Sequence, residues 1–312
     1  MRRLICILTL VLLPVVATAA DNPEWAYPVA PPNLPKPDPT KIVKVPGSDR
    51  QYTEVELNNP FGPADWFPTE HGPMPKVVSN GSRPDPRACS LCHLPSGDGH
   101  PESSGISGLP AAYIIRQVAE FKTGGRKGIR TTAMAGIAKA ISDEDAHEAA
   151  AYFADRKPLH GYTKVVEGEM APKSYVGEGA MRFVTENGGP EPIGSRIIEV
   201  PQDEAAARAR NPHIGFVAHV PPGSIARGKA LATTGGEGKT INCSICHGPE
   251  LKGVGEVPAL AGRSPIYLVR QLNDIQSGAR SGTSVALMQQ VVAKLTMDDM
   301  IALAAYAGSL EP

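Results

Sequence analysis

Apolar and polar positions recur with helical spacing in two stretches of this chain, Pro110 to Phe121 and Pro265 to Ile275. Each runs into a glycine, Gly124 or Gly278, of the kind that ends a helix by adopting a left-handed backbone. Ser142-x-x-Asp145 and Thr296-x-x-Asp299 read as capping boxes with Asp in place of Glu, each opening a final Ala-rich helix. Ser224 is placed to cap another helix running through Leu231. The periodic elements read here are all helical.

Between and before them the pattern breaks. Residues 21–80 hold thirteen prolines and both tryptophans, Trp25 and Trp66. Asn33 to Pro39 alternates proline with other residues and predicts extended polyproline. Trp25, Tyr27, Phe61, Trp66 and Phe67 are too apolar for a solvated tail, so the segment reads as an irregular arm lying across a folded domain. Residues 158–222 are mixed, with glycine–proline clusters and a charged Ala-rich piece from Asp203 to Arg210, and read as a long linker. Residues 1–20 read as a secretory signal: Arg2 and Arg3, an apolar run from Leu4 to Val16, then small residues at Ala17 to Ala20. That run is short for a membrane span, and no later segment is apolar enough to cross one. The expected location is periplasmic.

The two helical regions, 81–157 and 223–312, are copies of each other at an offset of 154 residues. Cys89, Cys92 and His93 map to Cys243, Cys246 and His247. Tyr113, Arg116 and Gln117 map to Tyr267, Arg270 and Gln271. Gly124, Arg126 and Gly128 map to Gly278, Arg280 and Gly282, Met134 to Met288, and Asp145 to Asp299. The second copy keeps a helix before its cysteine motif, whereas the same place in the first holds Pro73 and Pro75, so the arm is expected to fill it.

Cys-x-x-Cys-His, present twice, is the attachment pattern for c-type haem: two thiols one helical turn apart add to the vinyl groups, and the adjacent imidazole faces the iron. A Cys-x-x-Cys pair also serves zinc and redox sites, and exported chains use cysteines for disulfides. Neither use accounts for a His after both pairs. Loss of the signal removes Cys6, and two attachments use all four remaining cysteines. The formal net charge of −1 gives no basic field for nucleic acid. Gly235 to Thr240 resembles a phosphate loop, but Thr233 stands where the pattern needs its first glycine.

An iron held by one His needs a ligand or a vacancy on its other face. Met134 and Met288 are the methionines that correspond at the 154-residue offset, each forty-one residues after its His, whereas the six histidines outside the motifs have no such partners. The two methionines read as the distal ligands, core packing being the plainer alternative. Expected metal ligands are thus His93, Met134, His247 and Met288.

At these residues the chain resembles class I cytochromes c, and specifically their tandem dihaem, c-four-like kind. The resemblance covers 81–157 and 223–312 and implies an all-α fold of two such domains in tandem, joined by the long linker and preceded by the proline-rich arm. It implies two covalently attached haem c groups, a propionate-pairing role for Arg126 and Arg280, and a backbone carbonyl at Pro258 that orients the motif His. Ser104 stands at the matching place in the first domain. The implied function is periplasmic single-electron transfer between an exported dehydrogenase and an oxidase or other cytochrome. The alternatives are the dedicated cytochrome subunit of one dehydrogenase complex, or a dihaem peroxidase or thiosulfate-oxidising enzyme, which needs an open iron face or a cysteine ligand. No acid–base or nucleophile constellation accompanies the motifs, so a carrier, not an enzyme, is expected.

Overall fold

The structure, a computed structural model, describes residues 22–312. The expected signal, 1–20, lies outside the described residues. The chain opens with an antiparallel pair, β1 (Ile42–Val43) and β2 (Tyr52–Thr53). Thr53 caps the one-turn helix α1 (Glu54–Leu57) in a reciprocal box with Glu56. A second single turn, α2 (Lys76–Ser79), precedes α3 (Ser90–His93), α4 (Ala111–Thr123), α5 (Thr132–Ala140) and α6 (Asp143–Ala154). Then come β3 (Thr163–Glu167), β4 (Met170–Pro172), β5 (Ser174–Val176), β6 (Arg182–Val184), β7 (Pro190–Pro192), β8 (Ile198–Pro201), the short helix α7 (Glu204–Arg208) and β9 (Phe216–Val220). The last third is helical again: α8 (Ser224–Thr234), α9 (Ser244–His247), α10 (Pro265–Gln276), α11 (Ala286–Val292) and α12 (Met297–Ser309).

This corrects the all-α expectation. The segment 158–222 carries seven of the nine strands found among the described residues. In β9, buried Phe216, Ala218 and Val220 alternate with half-buried Val217 and His219, the period-two signature of a sheet with one covered face. Strand β3 runs parallel to β9, with Thr163 opposite Phe216, and β8 runs antiparallel to it on the other side, with Ile198 opposite His219. Ala218 and Val220 join a core with Ile266 and Val269 of α10 and Ile301 and Ala304 of α12. The sheet therefore shares the hydrophobic interior of the last third instead of hanging free. The strands were not expected because segments of three to five residues, broken by Gly and Pro, leave little periodicity to count.

Within the helical regions most local signals act as expected, with two corrections. Helix α8 is entered through Gly223 in a left-handed backbone, with Ser224 as its first residue and not its cap. Ser142 accepts from the Asp145 amide without the reciprocal bond of a full box. Gly124 and Gly278 both take positive φ, 81° and 77°, just past α4 and α10. Helix α8 crosses α12 at Gly228, where a Cβ would lie 1.9 Å from the Ala302 carbonyl oxygen, so only glycine permits the approach. In the first half one turn remains of that helix. Val77 and Val78 of α2 stand at the offset positions of Leu231 and Ala232 and pack with Ile141, Ala150 and Phe153. Pro75 sits at the N-cap of α2.

The arm is a strap with contacts along its length. Ala26 and Tyr27 enter the core of the last third. The Tyr27 hydroxyl donates to Asp274 Oδ1 at 2.7 Å, and Arg270 Nη1 donates to the Ala26 carbonyl at 2.9 Å. Further on, Val45, Leu57, Trp66 and Phe67 cluster around Ala209, whose carbonyl accepts from Trp66 Nε1 at 2.7 Å.

The two capping aspartates differ in setting. Asp145 is half-buried on α6, whereas the Asp299 side chain is 1% exposed and gathers Arg227 Nη2 at 2.6 Å and Lys239 Nζ at 3.0 Å. Burial alone would raise the Asp299 pKa, but the Thr296 amide and hydroxyl, Lys239 and Arg227 all donate to it. Together they hold its carboxyl well below the usual carboxylate range. A depressed folded-state value gives stability that is fully present above about pH 4 and is lost as acid protonates the group. Asp299→Asn should therefore cost about 2 kcal/mol in urea denaturation at pH 7, with the gap to the parent chain narrowing as pH falls below about 4.

Candidate cofactor sites

The cysteine motifs form two matching single turns. Cys89 and Cys243 are the N-caps of α3 and α9, and His93 and His247 are the last residues of those turns. Each imidazole is aimed by a backbone carbonyl eleven residues further on. His93 Nδ1 donates to the Ser104 carbonyl at 2.8 Å, and His247 Nδ1 donates to the Pro258 carbonyl at 2.9 Å. A carbonyl only accepts, so Nδ1 carries the proton and the lone pair lies on Nε2, the geometry that metal-binding histidines use. Burial pushes both imidazoles below the ordinary histidine value, and the carbonyl bonds offset part of that shift. The neutral ring, the form that can offer a lone pair, is favoured.

All four motif thiols are unpaired, and among the described residues no three His, Cys, Asp or Glu side chains gather as a metal cage. Disulfide and zinc uses thus lack their geometry. A cavity of about 780 Å³ opens beside α9 instead, lined by Cys243, Cys246, His247, Leu272, Ile275 and Met288. Its wall is completed by Ser104, Leu109 and Tyr113 of the first half. Arg263 and Arg280 reach the same cavity, and the Nε of each is buried with no hydrogen-bond partner. The donor set suits a large flat apolar group that is attached at one edge, ligated from both faces and carries carboxylates. Met288 lies on α11 and packs against Val292 and Leu295; Met134, its counterpart, is half-buried on α5.

Arg126 and Arg280 are buried between the two halves, where the backbone of each copy pairs with the other. Lys127 N donates to the Ala279 carbonyl at 2.9 Å, and Ser281 N to the Gly125 carbonyl at 2.7 Å. Around this bridge the side chains cross over with two-fold regularity. Arg126 donates to Gln117 Oε1, Gln271 Oε1 and the Tyr267 hydroxyl, and Arg280 to Gln271 Oε1, Gln117 Oε1 and the Tyr113 hydroxyl, all within 2.7–3.2 Å. Arg270 pairs with Glu102 in a buried bridge, and Arg116 pairs with Glu256, the same contact with the halves exchanged. Burial would raise the Tyr267 hydroxyl, but Arg126 and Arg280 beside it draw it down to about 8.

Sequence reasoning singled out both arginines but not this contact. The signal lay in the repeat itself, since Tyr113, Arg116, Gln117, Arg126 and their partners are among the residues shared at the offset. The other histidines lie elsewhere: His71 bonds Asp65, His213 bonds Glu70, and His160 bonds Glu311.

A protein-family model for cytochrome c matches residues 225–311. The chain is similar to a thiosulfate dehydrogenase electron acceptor from Thiomonas intermedia, at 28% identity over 68% of this chain and 74% of that protein. It is similar to cytochrome c4 from Pseudomonas aeruginosa, at 25% identity over 71% of this chain and 83% of that one. A shorter stretch, 24% of the chain, is 35% identical to cytochrome c-554(548) from Halomonas halodenitrificans and covers 93% of it.

Each glutamine oxygen at the bridge accepts from both arginines, so removing one leaves two buried guanidinium donors short of an acceptor. Gln271→Leu and Gln117→Leu should each cost about 3 kcal/mol. Chemical denaturation should find the two losses equal within error, as the two-fold arrangement requires.

Proposed function

The chain belongs to the class I cytochrome c family, in its tandem dihaem form, and from that premise we propose which of its residues do the work. It is an electron carrier with two covalently bound haem c groups. Haem supplies a one-electron ferrous–ferric couple. Cys89 with Cys92, and Cys243 with Cys246, staple the two macrocycles. With haem bound, His93 and His247 would supply the imidazole ligands, held in the ligating tautomer by the Ser104 and Pro258 carbonyls. Met134 and Met288 would supply thioether sulfur, a ligand that raises the potential. Arg280, with Nε unpartnered at the cavity, receives a propionate, as does Arg263. Arg126, whose Nη atoms are held by Gln117, Tyr267 and Gln271, is assigned to the contact between the halves.

The observation that carries this reading is the matched imidazole–carbonyl pair in both halves. Among the described residues no helix is long and apolar enough to cross a membrane. We place the protein in the periplasm, passing electrons from an exported dehydrogenase to an oxidase or another cytochrome. A second reading, a dedicated subunit of one dehydrogenase complex, draws support from the strap and the β-rich insertion, which add surface beyond the two helical repeats, and from the relative named as an electron acceptor of thiosulfate dehydrogenase.

Intact mass should show two attached macrocycles per chain, and the oxidised protein should show the weak sulfur-to-iron band at the red end of the visible spectrum. Met288→His should remove half of that band and lower one of the two potentials. Ready carbon monoxide binding by the reduced protein would overturn the closed coordination.

A further inference from the structure

The two halves match around the bridge but differ at the outer face of the attachment turn. In the second half that face is open and apolar. Ile245, inside the motif, is 73% exposed, Cys246 is exposed, and Leu287, next to Met288, is 76% exposed. Ile241, 46% exposed, lines the cavity mouth together with Leu287 and Lys294. Of the charges nearby, Lys239 pairs with Asp299 and Lys252 with Glu250, and Lys294, bonded to the Gly238 carbonyl, keeps its charge.

In the first half the corresponding positions are Leu91, Cys92, Ala133 and Arg87. The chain's own insertion and strap lie on this turn. Arg210, just past α7, donates to the Leu91 and Ser90 carbonyls, and Ala88 N donates to the Pro60 carbonyl at 2.9 Å. Ser90 is buried, with its hydroxyl on the Val78 carbonyl at 2.7 Å. Leu91 and Cys92 are half-buried. Among the described residues no other segment donates to the outer carbonyls of α9 in this way; the Ser244 carbonyl accepts from Gly248 N of the same turn at 3.1 Å.

We propose that the chain has one port for protein partners, the apolar rim of Ile241, Ile245 and Leu287 over the second site, and that Arg210 and the strap close the equivalent face of the first. This rests on the haem-carrying role given above. Electrons then reach or leave the first site through the second, across the Arg126–Arg280 bridge. The partner that fits is a redox protein whose own centre lies beneath an apolar collar with few charges. The step moves one electron from the reduced chain to the oxidised partner, with no bond made or broken and no proton transferred.

The probe is an oxidised soluble blue-copper protein with an apolar patch over its copper, mixed with the reduced holoprotein in a stopped-flow instrument. Ile245→Glu should slow this transfer at least tenfold, and Arg87→Glu, a charge change at the first-half counterpart of Ile241, should leave it within twofold. Ferricyanide, which needs no docking surface, should oxidise parent and variants alike. The blue-copper rate should change less than threefold between low and high salt, because few unpaired charges steer the encounter. Equal slowing by both variants, or a rate within twofold of the parent for an Ile245→Glu chain holding two macrocycles, overturns the single port and leaves the carrier role standing. A parent chain with fewer than two macrocycles overturns both.

Discussion

The structure depends on one crossing: two arginines, each reaching from its own repeat to the tyrosine and glutamine of the other. A buried guanidinium is tolerated only when its donors are met. Here the Nη donors are met by groups that exist because the sequence is duplicated. Gln117 and Gln271 each accept from their own arginine and from the other half's. The arrangement is cooperative across the halves, since neither repeat alone contains a full set of partners. It also explains two glycines. A Cβ at Gly282 would meet the Glu120 side chain, and one at Gly128 would meet Asp274, so the backbones close only where both copies lack side chains.

That constraint also brings residues of the first half against the cavity of the second. The wall of the second cavity includes Ser104, whose carbonyl aims His93 of the first site, and Tyr113, which accepts from Arg280. Orienting bonds of one site and lining of the other are therefore the same residues. A one-electron carrier gains from such proximity, because its two couples are held in a fixed relation by the protein and not by a mobile hinge.

Much of the helical part was legible in the residues. The cysteine motifs, the helix-ending glycines, the capping pairs at Ser142 and Thr296 and the repeat register all have local causes, and local causes leave periodic traces. The carbonyls at Ser104 and Pro258 were reachable through the resemblance to class I cytochromes c, not from the pattern of the residues alone. The sheet was not legible. Its pairing of β3 with β9 joins residues over fifty positions apart, and Ile198 to Pro201 is buried throughout, without the alternation that marks a half-covered strand. The role of the arginines was half legible: their presence at the offset was plain, but a residue that reaches across to its own copy looks the same in sequence as one that faces a ligand.

The strap at Tyr27 imposes an order on assembly. It is made before either cysteine turn, yet the carboxylate that receives its hydroxyl lies 247 residues later in the chain. Until α10 emerges and folds, that tyrosine has nowhere to dock, and the first Cys-x-x-Cys-His turn waits as well for Arg210 to lie over it. In the folded chain the thiols at 89 and 92 are half-buried, in a turn fastened by a residue more than a hundred positions further along.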